Sequence, residues 1–440
     1  MAQLAVALLE QGYQVSGSDK AFFEPMGSFL KKTSIQLFDS YSKENISKDL
    51  DLVIIGNAIS YGHPEVLELE KLNLNYSLFT QCFYDLAINN RKSIVVSGTH
   101  GKTTTSYLTT AIFKSINLNP SYFVGGIGQE LDKCLEIGEK YCITEGDEYD
   151  SVFFAKFSKF HFYKPDILII NALEFDHADI FNSIEDIENE FIRLIQNMPK
   201  NGTVLYSSDC ENIKTMLNKV NLKDLKIISF GFKNNPNFLI TSTEENFQQK
   251  ITVTNINESF NYTLSMIGEH NARNSVAGIL VTKVLNLFKS EVLENITKFK
   301  GVKRRQEIWH QDQNYILIED FAHHPTAVDQ TIDALKRNFK DFKILIIFEP
   351  RSNTSKRDIH SKEYSKVLNK ADYVIISDEH IESEDGLNLK TIKNELKDKL
   401  LINMDHNIII DHLNNKKSTT EKLLCCVMSN GSFNGLIKKL

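Results

Sequence analysis

No stretch of this 440-residue chain stays apolar for the ~18 residues that a bilayer-spanning helix needs, so no membrane partner is expected. The apolar N-terminal run from Leu4 to Leu9 has no basic segment before it and does not read as a secretory signal. Positive charge is not in excess either. Fifty-seven acidic against 50 basic residues give a net charge of -7, with Lys and Glu interspersed. That balance argues against a nucleic-acid partner. Six cysteines (Cys82, Cys134, Cys142, Cys210, Cys425 and Cys426) include no C-x-x-C pair and no metal-ligand spacing. They read as reduced, mostly buried thiols of a cytoplasmic protein. Cys425 and Cys426 lie in a strand-like run and point to opposite faces, which disfavours a local disulfide. Internal repeats are absent, and nothing points beyond a monomer or weak homodimer.

What is present is a phosphate-binding loop. The strand Ser93–Ser97 runs into Gly98, Thr99, His100, Gly101, Lys102, Thr103 and Thr104, and a helix follows on which Tyr107, Leu108, Ala111, Ile112 and Ile116 would face a sheet. Glycines let backbone N–H groups turn toward phosphate oxygens, and the helix start adds free N–H groups and a positive dipole end. Lys102 can reach the β- and γ-phosphates of ATP, and the Thr103 hydroxyl can hold Mg²⁺. The commonest spacing would place a glycine at position 96, where Val96 stands, so the loop is a tighter subtype.

The length predicts about three domains. They read as α/β blocks over residues 1–88, 89–298 and 299–440. The first offers a helix (Ala2–Gln11) and strands at Tyr13–Ser18 and Leu52–Gly56. The second adds strands Tyr141–Thr144 and Ile167–Ile170, with hairpins over 225–267. In the third, strands are expected at Ile316–Ile318, Ile344–Phe348, Tyr373–Ile376, Ile408–Ile410 and Leu423–Met428, and 413–417 as an exposed loop. Continuous apolar strands alternating with helices mean parallel sheets covered on both faces. A doubly wound domain begins with a strand and a glycine-rich turn ahead of its first helix, yet this chain opens on the helix. Met1 therefore reads as an internal methionine preceded by roughly a dozen further residues.

Two acidic clusters follow strands of the second block: Glu145 to Asp150, and Glu174 to Asp179. An open α/β sheet places ligands just there, and carboxylates with an imidazole can complete Mg²⁺ shells beside a triphosphate. A solvated turn is the competing use of either alone. Asn271 and Asn274 share a helix face suited to a nucleobase edge, although Asn271 could equally cap that helix. Arg304 and Arg305 at the block boundary suit phosphate or carboxylate clamping. The adjacent His323 and His324 point apart, which disfavours a zinc site built on that pair.

In this order the motifs resemble those of the Mur ligase family across essentially the whole chain. The resemblance implies three domains: a Rossmann-like UDP-binding domain lacking its first strand and glycine turn, a central P-loop ATPase domain and a Rossmann-like C-terminal domain. It implies ATP-driven amide formation between the carboxylate of UDP-N-acetylmuramate and an incoming amine, with Mg²⁺. Glu145–Asp150, Leu173–Phe181, Asp320–Thr326 and Phe348–Thr354 look like the branch that attaches a recycled murein tripeptide, L-Ala-γ-D-Glu-meso-diaminopimelate. The branch that adds L-alanine shows a serine where Tyr149 stands. Carried over, Lys102, Glu174 and His177 are catalytic, with Thr103, Glu145, Glu174 and His177 at the metals. The P-loop with Asn271, Asn274, Arg304 and Asp320 binds ATP. Asp19, Asn57, Ser60, Gly125 and Gly126 match the UDP-sugar side. Arg351 with Asn353 is expected to grip a peptide carboxylate, unless Arg351 pairs with Glu349. Ala172 stands where an asparagine is usual, with Asn171 one place earlier. The rivals are an L-alanine ligase, an enzyme similar to folylpolyglutamate synthetase, and a non-catalytic nucleotide-binding remnant.

Overall fold

The computed structural model describes residues 1–23, 26–148, 150–151, 155–381 and 386–440, with backbone only at 150–151 and 155–157. The apolar strand Lys92–Ser97 runs through the middle of a ten-stranded sheet, flanked in parallel by Ile167–Ile170 and Tyr141–Gly146. Its successive residues enter opposite cores, as the two-residue period requires. Ile94 and Val96 pack with Tyr107, Leu108 and the helix Glu269–Val284. Val95 packs with Phe83, Phe160 and Leu168 on the other face. Parallel strands Thr203–Ser207 and Lys226–Gly231 extend the sheet, and an antiparallel meander of Phe238–Glu245, Gln248–Thr254 and Ser259–Leu264 ends it. The meander is the hairpin region anticipated for 225–267.

The C-terminal sheet has six strands in the order Glu307–Gln311, Tyr315–Asp320, Leu423–Ser429, Lys343–Glu349, Tyr373–Ile376 and Leu400–Ile402. All pairings are parallel except the first. Cys425 and Cys426 enter the two separate cores of this domain, both as free thiols. One segment departs from the sequence reading. Ile408–Ile410 is not a strand and 413–417 is not a loop; both lie in the helix His406–Thr419. The Asp405 side chain caps it by accepting from the Asn407 N–H at 2.8 Å. Ile409 and Leu413, four apart, are buried while Ile408 is exposed, so the period is helical rather than alternating. The strand that closes this edge is Leu400–Ile402.

The first domain holds two separate parallel pairs, Ser16–Ser18 with Gln36–Phe38 and Val53–Ile55 with Tyr76–Leu78. The helix Ala2–Glu10 buries Leu4 and Ala7 against Phe79 and Phe83, in the core beneath the P-loop strand. Between the central and C-terminal domains the chain passes Gly301, whose φ of 93° favours glycine. Lys303 N donates to Ile127 O at 2.9 Å and Lys300 N to Glu130 at 3.0 Å, fastening the junction to the central domain.

Candidate active site

The P-loop glycines are fixed by space as well as by angle. Gly98 has φ 119°, and a Cβ there would stand 2.6 Å from the Ala172 carbonyl oxygen. Gly101 has φ 81°, with Asn274 Oδ1 at 2.6 Å from the corresponding point. That carbonyl of Ala172 accepts from Thr99 N at 3.1 Å, and Asn171 Nδ2 donates to Thr105 Oγ1 at 2.8 Å. Thr99 Oγ1 is buried and has no partner among the described residues. An orphaned hydroxyl in a cradle of turned amides suits a phosphate group. Lys102 opens the helix Lys102–Ser115, of which Thr104 is a buried first-turn residue. The Lys102 ammonium donates to Gly98 O at 2.9 Å and to both oxygens of Glu148 at 2.9 and 3.0 Å. Thr103 Oγ1 donates to Glu145 Oε2 at 3.0 Å, and Glu145 Oε1 accepts from Gly125 N. Gly126 adjoins them, its absent Cβ 2.7 Å from the Thr103 methyl.

The two acidic clusters converge here, and their members fall into two groups. His177 sits with Glu148, Nε2 to Oε1 3.4 Å, beside Asp147 and Lys102. Glu174 sits with His100 (3.3 Å), His324 (3.5 Å) and the hydroxyl of Thr326 (2.6 Å). Oxygen and imidazole donors around the P-loop hydroxyl are a donor set that Mg²⁺ accepts. Burial pushes the Glu145 carboxyl up, against the hydrogen bonds from Gly125 and Thr103. Burial also works to raise Glu148, but Lys102 and the hydrogen bond from His177 outweigh it and hold that carboxyl at about 2. Glu174 is likewise held at about 2, burial being overcome by His100 and His324. Burial would lower the His177 imidazole, yet Glu148 raises it above its ordinary value.

These shifts have a sign. The depressed carboxylates contribute stability above their unfolded value of about 4.3, and lose it as pH falls toward 2. The raised His177 contributes below about 6.5 and loses its share as pH climbs through its elevated value. Urea midpoints should therefore drop steeply between about pH 4.3 and 2, and the acid limb of Glu174→Gln should be shallower by up to about one proton. Identical limbs for the variant and the parent would contradict the coupling.

On the nucleotide side, Asn271 Nδ2 donates to Ile267 O at 2.8 Å and to Gln306 at 3.2 Å, while Asn274 accepts from Thr105 Oγ1 at 3.1 Å. Asn271 lies inside its helix, whose cap residue Gly268 uses no side chain, so Asn271 is not the cap. Asp320 accepts from Gln306 N (2.9 Å) and Ala322 N (2.7 Å). The Arg304 guanidinium is taken up by Glu319 at 2.8 Å and by the carbonyls of Ser429 and Gly431. Its neighbour Arg305 lies 4.4 Å over the Phe321 ring, which Arg304 also approaches at 5.1 Å; burial lowers the Arg305 guanidinium, against the pull of Asp320 and Glu145. The member expected at the nucleotide, Arg304, is thus engaged by protein groups in this structure.

Asp19 accepts from the Tyr41 hydroxyl at 3.1 Å. Asn57 and Ser60 lie on the loop after Val53–Ile55, with Ser60 exposed. Arg351 is exposed and forms no ion pair among the described residues. It lies flat on Gly431, where a Cβ would come within 2.5 Å of its Cδ. Glu349 is engaged instead by His380 at 3.2 Å and by Ser429. Asn353 donates to Asp179 across the domain boundary at 3.0 Å. Tyr149 falls outside the described residues. The sequence reading passed over His360, whose ring stands 4.9 Å from that of His324 and which has no motif to mark it.

A phosphate-cradling loop ringed by carboxylates, with a second nucleotide-type domain docked over its mouth, defines an ATP-dependent ligase. The chain belongs to the Mur ligase family. Residues 96–282 match the Mur ligase middle domain, 304–423 the glutamate ligase domain and 1–90 the Mur ligase family catalytic domain. Members of this family form amide bonds. The chain is 31% identical to the UDP-N-acetylmuramate–L-alanyl-γ-D-glutamyl-meso-2,6-diaminoheptandioate ligase of Haemophilus influenzae, over 100% of this chain and 96% of that protein. Among solved structures it is similar to the murein peptide ligase of Psychrobacter arcticus (TM-score 0.69, 26% identity, 100% and 95% covered). It also shares the fold of the UDP-N-acetylmuramate–alanine ligase of Thermotoga maritima (TM-score 0.77, 24% identity, 100% and 95% covered). Among the described residues no helix is long and apolar enough to cross a membrane.

Proposed function

We propose that this chain joins the tripeptide L-Ala-γ-D-Glu-meso-diaminopimelate to UDP-N-acetylmuramate in the cytoplasm, at the expense of ATP. The observation that carries this beyond the family is Arg351. It is an exposed guanidinium on a ligand-side loop that forms no ion pair among the described residues, and the tripeptide brings several carboxylates that L-alanine lacks. Residues 1–88 bind the UDP-sugar, 89–298 bind ATP and 299–440 present the amine.

A carboxylate is a poor electrophile, so the γ-phosphoryl group of ATP first converts it to an acyl phosphate. The peptide amine attacks the acyl carbon, and the tetrahedral intermediate expels phosphate. Lys102 leaves Glu148 for the phosphates and spreads the charge that builds during transfer. Thr103, Glu145, Glu174 and His177 would hold Mg²⁺, which supplies neutralisation of the triphosphate. Asn271, Asn274, Arg304 and Asp320 hold the nucleotide, with Arg305 beside them, and Asp320 also accepts from the Gln306 amide of the linker. Asp19, Asn57, Ser60, Gly125 and Gly126 orient the sugar nucleotide. Holding three substrates together supplies much of the rate.

Phosphate release in the presence of UDP-N-acetylmuramate and ATP, with either L-alanine or the tripeptide as amine, tests the reading. The tripeptide should give the higher kcat/KM. A higher value for L-alanine transfers the chain to the L-alanine-adding branch, and no turnover with either makes it a nucleotide-binding remnant.

A further inference from the structure

Three segments that are far apart in the chain bring nitrogen and oxygen donors to one point at the domain junction. His100 comes from the P-loop, Glu174 from the loop after Ile167–Ile170, and His324 from the loop after Tyr315–Asp320. Their ligand atoms all lie within 4.8 Å of one another. Glu174 Oε2 is the hub, 3.3 Å from His100 Nε2 and 3.5 Å from His324 Nδ1. Those separations are long for hydrogen bonds between such groups. They do match the spacing of neighbouring donors around a tetrahedral ion with bonds of about 2.0–2.1 Å, which is about 3.3 Å.

The tautomer of His324 points the same way. Its Nε2 lies 3.3 Å from the Phe175 carbonyl oxygen, an acceptor only, so that nitrogen carries the proton. Nδ1 is then left with its lone pair, turned toward a carboxylate that also has only lone pairs to offer. The one amide that reaches Nδ1, Thr326 N, does so at 3.4 Å. A histidine whose far nitrogen is anchored to a backbone carbonyl while the near one faces a carboxylate has the arrangement of a metal-ligating imidazole. Partial exposure of His100 (17%) and Glu174 (27%) leaves an entry path.

We propose that His100 Nε2, Glu174 Oε2 and His324 Nδ1 form a site for a borderline-soft divalent cation such as Zn²⁺ or Co²⁺, with a fourth position open to water. Two imidazoles among three donors distinguish it from the Mg²⁺ site at the P-loop, where oxygens predominate and His177 is the single imidazole. The ion ties the P-loop to the C-terminal domain and occupies Glu174, so it competes with Mg²⁺–ATP and acts as an inhibitor of ligation.

The test reads binding rather than turnover, so its failure leaves the proposed reaction untouched. Co²⁺ is titrated into the chelator-treated 440-residue chain. One equivalent should bind with the intense visible absorption of a four-coordinate ion and be displaced by Zn²⁺ but not by an excess of Mg²⁺. His100→Gln and His324→Gln, one on each side of the junction, should each weaken binding by at least ~10-fold. X-ray absorption on the Zn²⁺-loaded parent, which needs no variant to fold, should show two imidazole nitrogens. An all-oxygen shell, or Co²⁺ affinity unchanged in both variants, overturns the proposal.

Discussion

Lys102→Ala should lower kcat for ligation by ~10²–10³, because the charge it removes matters most as the phosphoryl group moves. The structure adds a second cost. Glu148 is fully buried and its carboxylate is held by Lys102 at 2.9 Å. Removing one partner of a buried pair strands the other, typically at about 3–5 kcal/mol. The variant should therefore melt earlier as well as turn over more slowly. Combining Lys102→Met with Glu148→Gln separates the two effects: urea denaturation should recover much of the lost stability while phosphate release stays low. Near-normal ligation by Lys102→Ala would remove Lys102 from the phosphate site.

Arg351→Ala should reduce kcat/KM for the tripeptide by ~1.5–3 kcal/mol in transition-state terms, the scale of a charged hydrogen bond. The KM for ATP should hardly change, and the slower reaction with L-alanine should be unaffected. The structure makes this cleaner than the sequence did, since Glu349 is held by His380 and Ser429 and does not neutralise Arg351. An equal loss with both amines would make Arg351 a general support of the domain rather than a grip on peptide.

The strands around the P-loop were legible because each carries a short run of apolar residues, and Ile167–Ile170 appears in the structure with the bounds read from sequence. The helix His406–Thr419 was misread because three consecutive isoleucines imitate a buried strand; its cap, Asp405, lies just outside that run. At the site, motifs showed which residues gather but not how they pair. The loops after Tyr141–Gly146 and Ile167–Ile170 both reach the P-loop, and packing alone sends His177 to Glu148 and Glu174 to His100. Likewise nothing local showed what Arg304 would be bound to. Its partner is Glu319, fifteen residues on, brought beside it by the pairing of Glu307–Gln311 with Tyr315–Asp320.

The strand Leu423–Ser429 lies between Tyr315–Asp320 and Lys343–Glu349, near the middle of its sheet although it is the last strand to be synthesised. During translation the strands made earlier wait with their inner edges unpaired until this one emerges. A growing chain that stalls before residue 423 exposes two apolar strand edges at once, and such edges recruit one another between molecules. The C-terminal domain is thus secured only once this strand is made, and a chaperone that covers open sheet edges would act on this chain late in its synthesis.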